Sequence, residues 1–486
     1  MKKIGKTVLA CAAACVLLSG CGTAQTDDTK TQEQANAGET AGNALSVTTI
    51  TEVFGDGQKP SAAAIEYPGE IDASTLSVDD YEIAGQTITA VYTNSEAAIT
   101  DSNISGNFVI LKLAQENAET VDMDGRQNPD NEEGNPPEND GGAERTGRPE
   151  GNGGFEKSEK AGDVDGGKLR GDTGMDGGMG RGTGEQSNSI LSLSIVQKGD
   201  ITGTDGTLYP ANETVMESSE RIDLIIQDFQ LLEYTDPETG ATIPYSLYLP
   251  ADYDESKEYP LLFFVADASA NGDDLTRNIT QGNGATVWAT PEEQAKHECI
   301  ILSPQYTNTL IDSIGALTTD DNVWSDGLTL VSNLLHDVID EYSVDENRIY
   351  GTGQSQGCMT NIALSDKYPD LFAGQLLVAG QWNVEEMSAM KDKNLWIVVC
   401  EGDSKAYPGM NEATELWESL GSSVARSDMW DSTSTAEQFD ALVTQMESQN
   451  CKINYTVFEG GSHTYTWSVA YNIEGIRDWL FAQTKE

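Results

Sequence analysis

Basic residues, histidines and long apolar runs are all scarce in this sequence. Lysine and arginine together number 28, against 80 aspartates and glutamates, which gives a formal net charge of −52. Because phosphate binding requires a cationic surface, no nucleic-acid partner is expected. The same charge would repel an anionic membrane surface. It keeps a secreted protein soluble but does not reveal its chemistry.

Paired cysteines are also missing. The chain has seven cysteines, but no two of them form a CxxC motif, which argues against a zinc site or a thioredoxin-like redox site. The four beyond the N-terminal region lie in or near apolar segments and are expected to be buried free thiols, although disulfides outside the cell remain possible. They are Cys299, Cys358, Cys400 and Cys451.

The first residues predict secretion and a lipid anchor. MKKIGK supplies positive charge, and residues 7–20 form an apolar stretch too short to span a bilayer. Residues 18–21, Leu-Ser-Gly-Cys, resemble a bacterial lipobox, in which the cysteine is lipidated and becomes the mature N-terminus. We therefore predict a signal peptide over residues 1–20 and lipidation of Cys21, which would hold the protein on the extracellular face of the cell membrane. The alternative is an ordinary cleaved signal, with Cys21 incidental.

The composition changes several times over the next 200 residues. Residues 21–44 are small and polar, which is typical of a flexible tether. Residues 45–226 contain short runs of Val, Ile, Thr and aromatic residues between turn residues, which predicts an all-β sandwich. Residues 115–187 interrupt this pattern with glycines, acidic clusters and a single aromatic residue, Phe155. That stretch predicts a disordered insertion in a loop of the sandwich, because it cannot bury enough apolar surface to fold.

Residues 227–486 alternate apolar β-like runs with helical stretches. Five residues recur at three- and four-residue steps and form the stripe of a helix lying on a sheet: Leu328, Val331, Leu335, Val338 and Tyr342. Apolar strands between such helices indicate a mostly parallel sheet that is covered on both faces, an α/β fold. Residues 228–250, with a DPETG turn, predict an antiparallel hairpin at the leading edge of this sheet.

One serine lies between two glycines in the sequence GQSQG at 353–357. A β-like run precedes this motif and a helical stretch follows it, which is the context of a nucleophile elbow. Small residues two positions on either side of the serine permit a tight turn that lifts its hydroxyl above the strand end. Ser355 is therefore the candidate nucleophile. The alternative is a glycine-rich turn at a ligand-free sheet edge.

A nucleophilic serine needs a base, and the chain offers three histidines. His297 lies where a helical run gives way to a β-like run, and His336 lies in the middle of a predicted helix. His463 follows the last β-like run, in a loop that begins with two glycines. Because such a loop can reach over the elbow, we predict His463 as the general base.

The third member of the site should orient the imidazole and stabilise its cation. Asp403 follows the β-like run LWIVVCEG, and the order Ser355, Asp403, His463 is that of the α/β-hydrolases. We therefore predict Asp403 as the acid. The rival acids are Glu401, Asp428 and Asp431.

The chain resembles a known family in both of its halves. The C-terminal half is similar to the esterase and predicted-peptidase branch of the α/β-hydrolases, related to polyhydroxybutyrate depolymerases and feruloyl esterases, in NRIYGTGQSQGCMTNIALSDKYPDLFAG, IILSPQY, EGDSKAYPGM and HTYTWSVAYNIEGIRDWL. The N-terminal half resembles the immunoglobulin-like domain that precedes some of these esterases, in VTTITEVFGDGQKPSAAAIEYPGEID and ITAVYTN. The resemblance implies an immunoglobulin-like domain over 45–226 and an α/β-hydrolase catalytic domain over 227–486. It implies a catalytic triad of Ser355, Asp403 and His463, and no metal or organic cofactor.

One departure from the family concerns the oxyanion hole. After the strand YPLLFFV these esterases usually carry His-Gly-Ala-Gly, whereas this chain has Ala-Asp-Ala-Ser at 266–269. Backbone amides do not depend on the lost side chains, so the amides of Gln356 and Ala268 are the expected donors. An ionised Asp267 near the developing oxyanion would oppose it and weaken activity, unless its side chain points away.

The leading hypothesis is a surface-anchored serine hydrolase that cleaves carboxylic esters through an acyl-enzyme. Its substrate would be a small-molecule or carbohydrate-linked ester. Trp324 and Trp467 could contact an aromatic or sugar-bearing group, although core packing is the ordinary role of such residues. The alternatives are a serine peptidase on the same triad and a non-catalytic binding lipoprotein with an impaired oxyanion hole. The sequence leaves the substrate and the oligomeric state open.

Overall fold

The computed structural model describes residues 43–115 and 191–485. The predicted signal peptide, the lipidation site at Cys21, and almost all of the predicted tether and disordered insertion lie outside these residues. Within the two described ranges, none of the helices is both long and apolar enough to cross a bilayer.

The N-terminal part is built from short strands. They are β1 (Ser46–Phe54), β2 (Gly57–Glu66), β3 (Tyr81–Ile83), β4 (Ile88–Asn94), β5 (Phe108–Leu113), β6 (Ser194–Gln197), β7 (Ile201–Thr202), β8 (Leu208–Tyr209), β9 (Asn212–Glu217) and β10 (Glu220–Asp223). One sheet has the order β10-β1-β2-β5-β4, a second has the order β3-β6-β9, and β7 pairs with β8. β1 runs antiparallel to β2 and parallel to β10.

Alternation of apolar residues along these strands builds a core between the two larger sheets. Val47, Ile65 and Leu111 of the first sheet are fully or almost fully buried in one cluster with Ile83 and Ile195 of the second. Each strand places every second side chain on the same face, so the inward residues of both sheets meet. The predicted β-sandwich is confirmed.

The C-terminal part contains one large sheet. Its strands are β11 (Gln230–Thr235), β12 (Thr242–Tyr248), β13 (Tyr259–Val265), β14 (Ile300–Pro304), β15 (Val344–Gln354), β16 (Gly374–Val378), β17 (Leu395–Cys400), β18 (Val424–Arg426) and β19 (Ile453–Phe458). The order is β11-β12-β14-β13-β15-β16-β17-β19-β18. β11 and β12 form the predicted antiparallel hairpin at one edge, and β13 to β19 pair in parallel.

Helices connect these strands. They are α1 (Arg277–Thr280), α2 (Pro291–Lys296), α3 (Asn308–Ile314), α4 (Asp326–Glu341), α5 (Gln356–Lys367), α6 (Ala406–Ser419), α7 (Ala436–Glu447), α8 (Tyr465–Ala470) and α9 (Glu474–Phe481). The strands are buried from both sides. Phe263 of β13 packs in a cluster with residues of α4, α5 and α6, whereas its neighbour Phe264 packs with residues of α7, α8 and α9. This double coverage explains why the strands read as solid apolar runs.

Helix α4 forms where the apolar stripe in the sequence predicts a helix. Its N-cap is Ser325, whose hydroxyl accepts a hydrogen bond from the amide of Leu328 at 3.0 Å. The predicted stripe is buried along the helix, and its last member, Tyr342, lies just beyond the helix end and packs against the same core.

The four described cysteines are free thiols. Cys299, Cys358 and Cys400 are buried, as predicted, and Cys451 is half-buried. Burial raises the pKa of the Cys400 thiol to about 11, which disfavours its reactive thiolate.

Candidate active site

Ser355 lies in a strained turn between a strand and a helix. β15 ends at Gln354, α5 begins at Gln356, and Ser355 between them has φ 51° and ψ −115°. Residues other than glycine rarely adopt this backbone region, and strain of this kind persists only where the surroundings impose it. Here the Ser355 amide donates to the carbonyl of Val378 at 3.0 Å, and the Ser355 carbonyl accepts from the amide of Met359 at 2.9 Å.

Both positions of the motif must be glycine because the backbone at the end of strand β13 lies so close to them. A Cβ on Gly357 would overlap the carbonyl oxygen of Val265, and a Cβ on Gly353 would overlap the same atom. The backbone of β13 therefore runs directly against the elbow. This contact gives the physical reason for small residues on both sides of the serine.

Three side chains form a continuous hydrogen-bonded chain at this turn. His463 Nε2 lies 2.8 Å from Ser355 Oγ, and His463 Nδ1 lies 2.5 Å from Asp403 Oδ2. Asp403 is in the loop after β17, and His463 is in the loop after β19. Because β15, β17 and β19 belong to the parallel part of one sheet, their following loops lie at the same edge.

Asp403 is held firmly in this arrangement. It is buried, and its Oδ1 accepts the backbone amides of Lys405 and Ala406, each at 3.0 Å, which leaves Oδ2 for His463. Burial raises the pKa of the Asp403 carboxyl, but the hydrogen bond and charge of His463 and the two amides lower it by more. The net pKa is below the usual range, so Asp403 is ionised at neutral pH. An ionised Asp403 accepts a hydrogen bond from the protonated Nδ1 of His463, which leaves the unprotonated Nε2 facing Ser355.

The other two histidines have different partners. His297 Nε2 contacts Asp478 Oδ1 at 2.7 Å, and its ring stacks on Phe481 with centroids 4.7 Å apart. His336 Nδ1 lies 2.8 Å from the carbonyl of Ser332 in its own helix. His463 is thus the histidine that the structure brings to Ser355.

The rival acids also lie apart from the imidazole. Glu401 accepts the backbone amide of Gly460 at 3.1 Å. Asp428 is exposed, and Asp431 is an exposed residue that accepts from the amide of Thr433 at 2.9 Å. Asp403 is the acid that contacts His463.

The two expected oxyanion donors lie on adjoining segments. Gln356 is the first residue of α5, and the first amides of a helix have no acceptor within the helix. Ala268 begins a 3-10 turn, Ala268–Ala270, that follows β13. The side-chain amides of Gln356 and Asn271 exchange two hydrogen bonds, at 3.1 and 3.0 Å, which joins the two segments.

Asp267 is engaged with the protein through both carboxylate oxygens. It is the N-cap of the 3-10 turn, and its Oδ1 accepts the backbone amide of Ser269 at 2.5 Å. Its Oδ2 accepts the side-chain amide of Gln281. The Gln281 oxygen in turn accepts from Gln354 Nε2 at 2.9 Å. The sequence carried no motif for Gln281 or Asn271, because their contacts exist only once distant loops have packed.

The two tryptophans considered as substrate contacts pack within the protein. Trp467 is nearly buried, and its ring meets His463 edge to face with centroids 5.2 Å apart. Trp324 lies under the Lys367 ammonium, which is 3.6 Å from the ring centroid, and against Tyr368. Lys367 ends α5, whereas Ser355 precedes its first residue. Trp467 therefore supports the base, and Trp324 belongs to the opposite end of the helix.

Potential metal ligands come together at a different place. In the described residues, one group of three has its ligand atoms within 4.8 Å of one another: Glu293, His297 and Asp478. Glu293 is ion-paired with Arg477 at 2.6 Å, and His297 contacts Asp478.

Comparison with known proteins identifies the N-terminal part. Residues 46–210 match the family described as the esterase Ig-like N-terminal domain. The β-sandwich is Ig-like and is similar to the N-terminal domain of esterases. The crystal structure of a thermostable esterase aligns with 91% of this chain and 100% of that chain, at 25% sequence identity and a TM-score of 0.64. The predicted fold is therefore confirmed for both parts, an Ig-like domain followed by an α/β-hydrolase domain.

A curated relative matches over a shorter stretch. Feruloyl esterase B of Talaromyces funiculosus is 29% identical over 103 residues, which are 21% of this chain and 29% of that protein. The chain thus spans less than a third of that relative's length. Together with the Ig-like domain, these similarities confirm the resemblance to esterases that carry an Ig-like N-terminal domain.

Proposed function

We propose that this protein is a serine esterase that cleaves carboxylic esters through an acyl-enzyme. The observation that carries the proposal is the chain from Ser355 Oγ through His463 to Asp403, with distances of 2.8 and 2.5 Å, on a strained strand-to-helix turn. A glycine-rich turn without a catalytic role gives no reason for a serine, an imidazole and a buried carboxylate to meet in this order.

The chemistry proceeds in two halves. His463 Nε2 takes the hydroxyl proton as Ser355 Oγ attacks the ester carbonyl, and the resulting imidazolium is stabilised by Asp403. The imidazolium then gives its proton to the leaving alkoxide, and the alcohol departs from the acyl-enzyme. Water, deprotonated by His463, attacks the acyl group, and the carboxylic acid is released as Ser355 regains its proton. No metal or organic cofactor takes part in these steps.

The negative oxygen that develops in each half needs fixed donors. We assign this role to the backbone amides of Gln356 and Ala268, at the start of α5 and in the turn after β13. The partial positive charge at a helix N-terminus favours an anion there. The engagement of Asp267 by Ser269 and Gln281 supports an active enzyme over a binding lipoprotein, because both of its oxygens already have donors.

For the substrate, we propose the bond that is cleaved, a carboxylic ester. The similarity to a thermostable esterase along nearly the whole chain supports an ester over a peptide. The acyl or alcohol group would come from a small-molecule or carbohydrate-linked ester.

We also propose that lipidation of Cys21 holds the enzyme on the extracellular face of the membrane. Replacing Cys21 with serine should move the protein from the membrane fraction to the medium.

Labelling with a fluorophosphonate probe tests the proposed nucleophile and base. Wild type should label, and Ser355→Ala and His463→Ala should not, because the first lacks the attacking oxygen and the second lacks its base. His336→Ala is the matched control, since that exposed histidine bonds to its own helix and packs on Tyr368 at the end of α5 far from Ser355, and it should label like wild type. A folded wild type that does not label would refute the esterase proposal. Faster cleavage of peptide p-nitroanilides than of p-nitrophenyl esters would instead assign a peptidase.

A further inference from the structure

A chain of buried polar side chains links the residue before the nucleophile to the loop after β13. Gln354 is 1% exposed and Asp267 is 5% exposed. Half-buried Gln281 lies between them, donating to Asp267 and accepting from Gln354. The mechanism proposed above does not use these three side chains directly.

The position of Asp267 connects this chain to the oxyanion donors. Its Oδ1 caps the 3-10 turn at the amide of Ser269, so it fixes the backbone on both sides of Ala268. An Asp cap of this kind holds an amide in place through a charge-assisted hydrogen bond. The Ala268 amide can stabilise an oxyanion only if it is held at the correct place before the reaction begins.

We infer that Asp267 is a positioning residue that, with Gln281 and Gln354, locks the turn carrying the Ala268 amide against the nucleophile elbow. This inference rests on the proposed esterase function. It assigns a role to the carboxylate that stands where related esterases have glycine. Both oxygens of the Asp267 carboxylate accept hydrogen bonds, one from Ser269 and one from Gln281. The carboxylate therefore raises the reaction rate.

The Ig-like domain holds the backbone next to Gln281. The turn between β1 and β2 lies against this segment: a Cβ on Gly282 would come within 3.0 Å of the carbonyl oxygen of Gly55, and a Cβ on Gly57 within 3.5 Å of that of Gln281. Gln281 therefore has a fixed backbone from which its side chain reaches Asp267.

Two substitutions of Asp267 should disturb its hydrogen bonds to Ser269 and Gln281 to different extents. Asp267→Ala removes both acceptors and leaves the Ser269 amide and the Gln281 amide without them. Asp267→Asn keeps an oxygen for Ser269. Its new NH2 group can donate to Gln281 if the Gln281 amide turns over. Gln281 then donates to the Gln354 oxygen once the Gln354 amide turns over as well, since that oxygen is buried and lacks a hydrogen-bond partner among the described residues.

The test measures kcat and KM on p-nitrophenyl butyrate for wild type, Asp267→Ala and Asp267→Asn. Asp267→Ala should lower kcat by about tenfold to a hundredfold with KM changed by less than about twofold, because the donor is displaced and not the substrate. Asp267→Asn should stay within about threefold of wild type. Gln281→Met should lower kcat as well, and the double variant Asp267→Ala/Gln281→Met should be little worse than either single variant, since both break the same chain.

Asp72→Ala is the matched control. Asp72 caps a 3-10 turn in the Ig-like domain and accepts the amide of Ser74 at 3.0 Å, in the same Asp-x-Ser geometry but in the sandwich. It should leave kcat unchanged. If Asp267→Ala behaves like Asp72→Ala, Asp267 is only a structural cap and the inference is wrong. The inference is also wrong if Asp267→Ala and Asp267→Asn both raise kcat, because the carboxylate would then oppose the oxyanion.

Hydrogen exchange of the peptide covering residues 266–272 provides a readout that does not depend on turnover. Asp267→Ala should lose protection in this peptide, and Asp267→Asn should keep it. If wild type fails to label with the fluorophosphonate probe, the esterase proposal fails, while this exchange pattern still decides whether Asp267 locks the turn. Equal protection in all three proteins would overturn the lock itself.

Discussion

At the scale of single residues, the proposed catalysis depends on which ring nitrogen of His463 carries the proton. Asp403 fixes Nδ1 as the protonated nitrogen, since a carboxylate only accepts. Asp403→Asn keeps the shape but presents either an amide NH2 or a neutral oxygen. We expect kcat to fall by about a thousandfold or more, because the imidazole is no longer held as a base toward Ser355.

Esterase kinetics and thermal unfolding of Asp403→Asn check this expectation, with Asp428→Asn as a control on an exposed acid. A kcat within about tenfold of wild type would show that another group orients His463.

The same carboxyl makes stability depend on pH. The pKa of Asp403 is lower in the folded protein than the value of about 3.9 expected for the unfolded chain. Its contribution to the free energy of unfolding is therefore fully present above pH 4 and is lost as the pH falls through the folded value. Urea unfolding from pH 7 to pH 3 should show wild type losing more stability than Asp403→Asn. Parallel curves for the two proteins would contradict this assignment.

At the scale of elements, the elbow exists because β13 and α5 approach more closely than any side chain permits. We expect Gly357→Ala to destabilise the protein by about 3 kcal/mol or more, or to displace the elbow and abolish fluorophosphonate labelling, since its Cβ would overlap the backbone of Val265. Gly421→Ala is the comparison: Gly421 has φ +96° but no atoms near its Cβ position, so only backbone strain of about 1 kcal/mol is expected. Equal unfolding curves for the two variants would show that the elbow can relax.

The elements of the site were largely predictable from sequence, and their cross-contacts were not. Ser355 was visible because two glycines, a strand and a helix surround it. Asp403 and His463 were visible because each follows an apolar strand. The amide pair of Gln356 with Asn271 and the contacts of Asp267 were hidden, because these polar side chains lie in loops whose approach is decided by the packing of strands far apart in the sequence. The positive φ of Ser355 was equally hidden, since a serine carries no local sign of strain.

At the scale of the whole molecule, the Ig-like domain contacts the helix that follows the base. A Cβ on Gly55, in the β1–β2 turn, would overlap the carbonyl oxygen of Ser468 in α8, and Trp467 of the same helix packs on His463. We expect Gly55→Ala to push these segments apart, lowering both the melting temperature and kcat. Gly85→Ala is the control in the same domain: nothing lies near its Cβ position, but its φ of +72° adds backbone strain of about 1 kcal/mol, so it should lower the melting temperature slightly and leave kcat unchanged. A loss of melting temperature with unchanged kcat would mean that the contact only stabilises.

The pairing of β1 with β10 also has a mechanical consequence. β1 is the first strand of the Ig-like domain and β10 is the last before the hydrolase domain, and the two run parallel over four residue pairs, from Thr48–Glu220 to Thr51–Asp223. Their side chains add hydrogen bonds at both ends of this register. A force pulling the N-terminal side away from the hydrolase domain would shear the two strands lengthwise. All of these bonds would then bear the load together instead of opening one by one, so the Ig-like domain would resist traction.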